Sequence, residues 1–372
     1  MTAKLFQSLS MRSLTLSNRV VIAPMCQYSA VEGCAQPWHT IHLGQLALGN
    51  PGLLIIEATA VERRGRISPG CTGLYNDATE ESMGRTLREV RSVSATPIAV
   101  QLGHAGRKAS SGRPWDGGKL ITPEAGGWVR VAPSAVPVSD DEPPPRALER
   151  DEMAALVASF VDATQRADRI GFDGVELHAA HGYLLHQFLS PVANHREDDY
   201  GGSLANRMRF PLEVIAAVRA ALPAHKPLGI RISATDWIEG SGWDVPQAVE
   251  FSQRCAQLGV DWIHVSSGGI SPKQQIRLGP GYQVPFAESV RSGLSIPVIA
   301  VGLITEPQQA EAILAEGKAD LIGIARAALH DPRWVWRAAE ALGGQVDAAR
   351  QYWRCTPRGK PVVFNEVRHG QR

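Results

Sequence analysis

A few residues of this 372-residue chain are of types, and at spacings, that could do chemistry. His178-Ala179-Ala180-His181-Gly182-Tyr183 sets two imidazoles three residues apart, with a phenol two further on. Cys26 and Tyr28 close the segment Ala23-Pro24-Met25-Cys26-Gln27-Tyr28, and Gln101 and His104 stand at the end of another apolar run. Arg231 lies inside the apolar run Leu228–Ile232, an expensive place for a charge unless an anion or a carboxylate meets it. Plainer explanations exist for most of these. The histidines could be ordinary loop residues, Cys26 a small buried hydrophobe, and the tyrosines core-edge aromatics. No carboxylate or cysteine joins the histidines at a metal-ligand spacing, which speaks against a metal. His39 and His42 share that spacing but fall on an apparent helix and read as structural. Arg231 is the hardest to explain as structure alone.

Short Val/Ile/Leu-rich runs must position these groups: Val20–Ala23, Gly52–Ala58, Pro97–Leu102, Gly174–His178, Leu228–Ile232, Trp262–Val265, Pro297–Val301 and Asp320–Ile324. Their continuous apolarity suits parallel strands covered by helices. Amphipathic stretches between them predict helices over Ala78–Val93, Asp151–Ile170, Asn206–Leu222, Val245–Leu258, Phe286–Arg291, Pro307–Ala315 and Pro332–Leu342, several of them stopped by glycine. Eight strands in βα alternation predict an α/β chain folded as one (β/α)8 TIM barrel. A doubly wound sheet would ordinarily carry G-x-G-x-x-G after its first strand, and none is present. Residues 103–148, rich in Gly, Pro and Ser, read as an insertion after strand three that folds over the barrel mouth. Residues 1–343 then form the barrel and 344–372 a C-terminal tail.

Composition removes other classes. Basic and acidic residues nearly cancel, 38 against 37, which argues against nucleic acid or an anionic membrane as main partner. No apolar run approaches the roughly 18 residues of a membrane span. Five cysteines, an odd number without a C-x-x-C pair, read as reduced thiols of a cytoplasmic protein, and Met1–Ser10 does not read as a secretory signal. Serine-hydrolase, P-loop and zinc-protease motifs are missing. In a (β/α)8 barrel the strand ends hold the chemistry, and the last two often hold a phosphate. Here those ends are Gly302 and Ala325-Arg326. A phosphate end, an Arg, a Gln and a His/His/Tyr cluster suit a phosphorylated planar cofactor such as FMN.

The chain resembles the Old Yellow Enzyme family of FMN-dependent ene-reductases, and within it the thermophilic-like bacterial subgroup. The stretches that carry the resemblance are Asn18-Arg19-Val20 into Ala23–Tyr28, Glu57-Ala58-Thr59-Ala60-Val61, Gln101–Lys108, Gly174–Leu184, Arg196 through Ser203, Asn206-Arg207, Arg231, Gly281–Pro285 and Val301–Thr305. The resemblance implies FMN at the mouth, touched by Ala23, Pro24, Met25, Cys26 and Ala60, with Gln101 on its pyrimidine edge and Arg231 near N1. Gly302, Ala325 and Arg326 match its phosphate positions. It implies that His178 and His181 hold the substrate's carbonyl oxygen, that Tyr183 donates a proton, that Cys26 tunes the flavin and that Tyr28 adds a pocket hydroxyl. NAD(P)H would be the reductant and small activated alkenes the substrates, in an NADPH-dehydrogenase-type reaction with ping-pong kinetics. A homodimer or homotetramer is expected, with Trp353 or Arg354 entering a neighbouring site.

Two features depart from the family pattern: Ala325 stands where a glycine is usual, and the tail runs past the usual terminus. Three rival readings remain. A dienoyl-CoA reductase relative would need clustered cysteines and greater length. A metal- or Schiff-base-dependent lyase would need a lysine at a strand end. A non-catalytic flavin-binding protein would have no use for Tyr183 and both histidines.

Overall fold

The computed structural model describes residues 3–240 and 242–367. A hairpin of β1 (Leu9–Met11) and β2 (Leu14–Leu16) precedes the strands β3 (Val20–Ile22), β4 (Leu53–Ala60) and β5 (Ile98–Gly103). Two short strands, β6 (Val131–Ala132) and β7 (Arg146–Ala147), pair with each other inside the insertion. Then come β8 (Gly174–Ala179), β9 (Leu228–Ser233), β10 (Trp262–Ser266), β11 (Val298–Ala300) and β12 (Leu321–Ile324). The strands β3, β4, β5 and β8 to β12 pair in parallel and close into a barrel through β12 and β3. All eight sit where the apolar runs predict them.

The outer layer comprises α1 (Pro37–Ala47), α2 (Asp77–Arg91), α3 (Arg150–Ile170), α4 (Leu184–Leu189), α5 (Leu204–Ala221), α6 (Val245–Gln257), α7 (Val284–Ser292), α8 (Pro307–Ala315), α9 (Arg326–His330) and α10 (Trp334–Leu342). The seven helices predicted from periodicity are present, their ends displaced by a residue or two. The short α4 and α9 went unpredicted because five or six residues show too little periodicity to register. His39 and His42 do lie on a helix, α1.

Period-two alternation divides each strand between two environments. Val20, Ile22, Leu54, Ile56, Ile230 and Val265 pack outward under the helices. Val21, Leu53, Ile55, Ala99, Trp262, Ile299 and Leu321 point inward and meet Met11 and Leu16 of the hairpin, which plugs the barrel floor. The Trp262 indole fits there because β9 offers bare backbone opposite it. A Cβ on Gly229 would lie 1.8 Å from the ring. One layer up, the same inward parity selects Gln101, Glu176, Arg231 and His264, and above them His178, Ser233 and Ser266.

The insertion is ordered and bridges one side of the mouth. Arg107 donates to the carbonyls of Val136, Pro137 and Ile270, and Trp115 meets Tyr28 edge-on at 5.8 Å. No helix among the described residues is long and apolar enough to cross a membrane.

Candidate active site

The turn after β8 is held on all sides by buried side chains. His181 adopts φ 58°, a region that costs a non-glycine residue energy. Its N–H donates to Ser233 Oγ (2.9 Å) and its carbonyl accepts from Lys108 Nζ (2.8 Å). The Gly182 N–H donates to His186 Nδ1 (2.9 Å), and its carbonyl accepts from Gln187 Nε2 (2.7 Å). His186 Nε2 in turn lies 2.9 Å from Asp236 Oδ1, off the line of a good hydrogen bond, while Asp236 Oδ2 accepts from Ser190 Oγ and the Trp243 N–H.

These braces bring three rings together. His178 and His181 stand edge to face at 5.1 Å, and Tyr183 meets His178 at 4.8 Å, also edge to face. Burial, then the Arg231 charge, pushes both imidazoles well below their ordinary range, so both are neutral at physiological pH. Burial, reinforced by Cys26 and Tyr28, pushes the Tyr183 phenol well up, so it keeps its proton. Lys108 lies 5.1 Å from the Tyr183 ring, its own pKa lowered to about 8 by burial and by Arg107.

Beneath them Glu176, fully buried, accepts from Gln101 Nε2 (2.8 Å), Trp262 Nε1 (3.0 Å) and His264 Nδ1 (3.0 Å). Burial alone would raise its pKa, but His264 and Arg231 outweigh that and hold it low. Arg231 pairs in register with His178 on one side and His264 on the other.

On the β3 side the ladder to β5 slips at Glu57, a bulge that re-aims its carboxylate. It accepts the Gln27 N–H (3.0 Å) and lies 3.4 Å from His39 Nε2, which fixes the loop carrying Cys26 and Tyr28. The neighbouring Cys71 thiol, together with burial, pushes the Cys26 thiol well up, so it keeps its proton. At the β11–β12 corner, Gly302 accepts from the Gly281 N–H, and Gln283 Nε2 donates to Val301. Ala325 has φ −117°, so the turn needs no glycine there. Arg326 beside it is exposed.

The mouth therefore collects Ala23, Pro24, Met25, Cys26, Tyr28, Ala60, Gln101, His178, His181, Tyr183, Arg231, Gly302, Ala325 and Arg326 at the C-terminal strand ends. Trp353 and Arg354 are not among them. The tail crosses the opposite end, where Asp347 N–H donates to Asn50 and Trp353 Nε1 to Ala348. Residues 368–372 of the tail and Met1 and Thr2 lie outside the described residues. Sequence reasoning quoted Glu57, Lys108 and Glu176 without giving them a role, and missed Cys71, His186, Asp236, His264 and Ser266. For Glu176 and His264 a signal existed, a titratable side chain inside an apolar run, the same feature that singles out Arg231.

The sequence profile of the NADH:flavin oxidoreductase / NADH oxidase family matches residues 4–345. The chain belongs to this family. A Gibberella zeae NADH:flavin oxidoreductase is 42% identical over 96% of this chain and 91% of its own. NADPH dehydrogenase of Geobacillus thermodenitrificans is 42% identical over 95% and 99%. Among solved structures, morphinone reductase in complex with tetrahydroNAD superposes with TM-score 0.75 at 30% identity, covering 92% of each chain. The resemblance to Old Yellow Enzymes is thereby borne out, as is the barrel.

This member of the family is an oxidoreductase whose cofactor is FMN and whose reductant is a reduced nicotinamide. The residues fit that cofactor. Arg231 Nε and His264 Nε2 are buried with no hydrogen-bond partner among the described residues, and buried polar groups are rarely left so. Gln101 has committed its Nε2 to Glu176, which leaves Oε1 to accept an N–H.

Proposed function

We propose that the protein is an ene-reductase that uses NAD(P)H to reduce the activated C=C bond of α,β-unsaturated aldehydes, ketones, maleimides or nitroalkenes. Nicotinamide and alkene would take turns at one site. FMN, when bound, supplies the hydride relay between them. The observation that carries the reading is the meeting of two neutral imidazoles with a protonated phenol at the mouth. His178 and His181 hold the substrate's carbonyl oxygen and stabilise the charge that develops on it. Tyr183 delivers a proton to the α-carbon, on the side opposite the hydride.

Ala23, Pro24, Met25, Cys26 and Ala60 line the flavin, whose potential Cys26 tunes. Gln101 Oε1 serves its pyrimidine edge, and Arg231 balances the negative charge that reduction brings. Gly302, Ala325 and Arg326 hold the phosphate. Tyr28 adds a second hydroxyl to the pocket, and Trp353 or Arg354 of the partner subunit closes it in a homodimer or homotetramer. Residues 1–343 make up the catalytic barrel and 344–372 the tail.

The test is anaerobic. NADPH should bleach the visible flavin band of the purified protein, and cyclohexenone should restore it. Bleaching without restoration would leave a nicotinamide:flavin oxidoreductase with no alkene activity. Replacing both histidines by Ala should abolish the charge-transfer band of a bound para-hydroxyphenol while FMN stays bound.

A further inference from the structure

The hydroxyl of Ser266, at the end of β10, lies 2.7 Å from His181 Nε2. We infer that Ser266 is a positioning residue that fixes the tautomer of His181, so that both imidazoles present an N–H to one oxygen. The inference rests on the reading that a carbonyl or phenolate oxygen is held between the two histidines.

A neutral imidazole has one donor and one acceptor nitrogen, and the partner of one nitrogen decides the state of the other. His178 is decided by backbone. The Ala180 N–H reaches its Nδ1 at 3.2 Å, so that nitrogen must accept and the proton sits on Nε2. His178 Nε2 faces His181 Nδ1 at 3.4 Å, and these two edges define the point where an oxygen would sit. The pair works as a double donor only if His181 carries its proton on Nδ1. Its Nε2 must then accept, and Ser266 is the group that can donate to it.

The competing use for the Ser266 proton is weak. Gln283 Oε1, which accepts from Ser267 Oγ at 2.6 Å, could take a second hydrogen bond from Ser266 Oγ, but at 3.4 Å that contact is far longer than the 2.7 Å to His181 Nε2. Gln283 is itself turned by its Nε2, which donates to the Val301 carbonyl at 3.1 Å, so Oε1 stays aimed at the serines. The shorter contact wins, and Ser266 gives its hydrogen to His181. A second proton on the pair is disfavoured by burial and by Arg231 and Lys108, so the two donors must come from tautomer choice. Without an oxygen between them the 3.4 Å approach also lets His178 Nε2–H donate to His181 Nδ1. It is an oxygen accepting from both edges that calls for the Nδ1–H form of His181, and Ser266 is in place to support that form.

The experiment reads tautomers directly, without turnover. Holoenzyme labelled with ¹⁵N-histidine and saturated with para-hydroxybenzaldehyde is examined by two-bond ¹⁵N–¹H correlation. Wild-type His181 should show its proton on Nδ1 and a lone pair on Nε2. Ser266→Ala should move His181 toward the Nε2–H form and weaken phenolate binding about tenfold, while Ser266→Thr restores both. His178, held by backbone, should not change in either variant. A wild-type His181 protonated on Nε2 would overturn the inference, as would an unchanged tautomer and affinity in Ser266→Ala. So would a change in both histidines at once, because that would make Ser266 a shaper of the turn. If the tautomers are as expected but no alkene is reduced, the inference stands and the ene-reductase reading falls.

Discussion

The two ends of the barrel interior are built on the same strands and do opposite work. At the floor, inward side chains are Val21, Leu53, Ile55, Ala99, Trp262, Ile299 and Leu321, sealed by Met11 and Leu16. Two residues further along the strands, at the same parity, they become Gln101, Glu176, Arg231 and His264, and two further again His178 and Ser266. The Trp262 indole spans the boundary, its ring in the floor and its N–H donating to Glu176. Apolar burial at one end holds the strands in register, and that register aligns the polar groups at the other. Changes at the mouth should therefore alter chemistry far more than stability, and changes at the floor the reverse.

The largest expected effect is at Tyr183. Reduction of the flavin needs no proton at a substrate carbon, whereas reduction of an enone does. Tyr183→Phe should slow reoxidation by cyclohexenone by about 10²–10⁴-fold, the usual contribution of a general acid, with the reductive half-reaction nearly intact. Nitroalkenes should still accept hydride, because their nitronate can be protonated in water. Stopped-flow traces in which both half-reactions slow equally would make Tyr183 a wall of the pocket. At the other end, Leu16→Ala empties part of the floor. It should cost about 2–5 kcal/mol in denaturant unfolding, and the ratio of the two half-reaction rates should not move. A changed ratio would mean that the floor and the mouth are coupled.

Arg231→Met sharpens the boundary. A buried cation stabilises the reduced, anionic flavin more than the oxidised one, so its loss should lower the midpoint potential. A difference of about 1.4 kcal/mol corresponds to roughly 30 mV for two electrons. An unmoved potential would show that Arg231 serves Glu176 alone.

Lys108 ties the mouth to pH. Its pKa falls to about 8 in the fold, against about 10.4 in an unfolded chain. Between those values the unfolded chain binds the extra proton, so stability rises with pH across this window. The same deprotonation removes the cation beside the Tyr183 ring, so enone reduction should slow as pH passes 8. Lys108→Met should flatten both slopes; a wild-type alkaline limb that survives the substitution would assign it to another group.

The floor was legible in the sequence because apolar runs announce buried strands whichever way their residues face. The mouth was legible where a polar residue sat at a strand end, as with Gln101 and His178, or interrupted an apolar run, as with Arg231. Glu176 and His264 interrupt their runs in the same way, and only the closed barrel shows that they meet each other. Ser266 carries no such mark, since a serine after a strand is ordinary and its meaning comes from a distance to His181. Lys108, His186 and Asp236 brace a turn from elements 50 to 75 residues apart in places, and long-range pairing of that kind has no local pattern. The role of the family's tail residues was the least legible, because within one chain Trp353 lies at the end away from the mouth.

The smallest expected effect concerns Ala325, where the family resemblance leads one to expect a glycine. A glycine is required only where φ is positive or a Cβ has no room, and Ala325 has φ −117°. Ala325→Gly should then gain nothing in the folded state. It should lose about 0.4–1 kcal/mol, because the unfolded chain becomes more flexible. FMN retention on dilution should stay as in the wild type, since the backbone N–H groups of this corner keep their positions. The measurement pairs a denaturation curve with the dissociation constant for FMN. Tighter FMN binding in the glycine variant would show that the Ala325 methyl group crowds the phosphate, and would move this corner from the floor's kind of constraint to the mouth's.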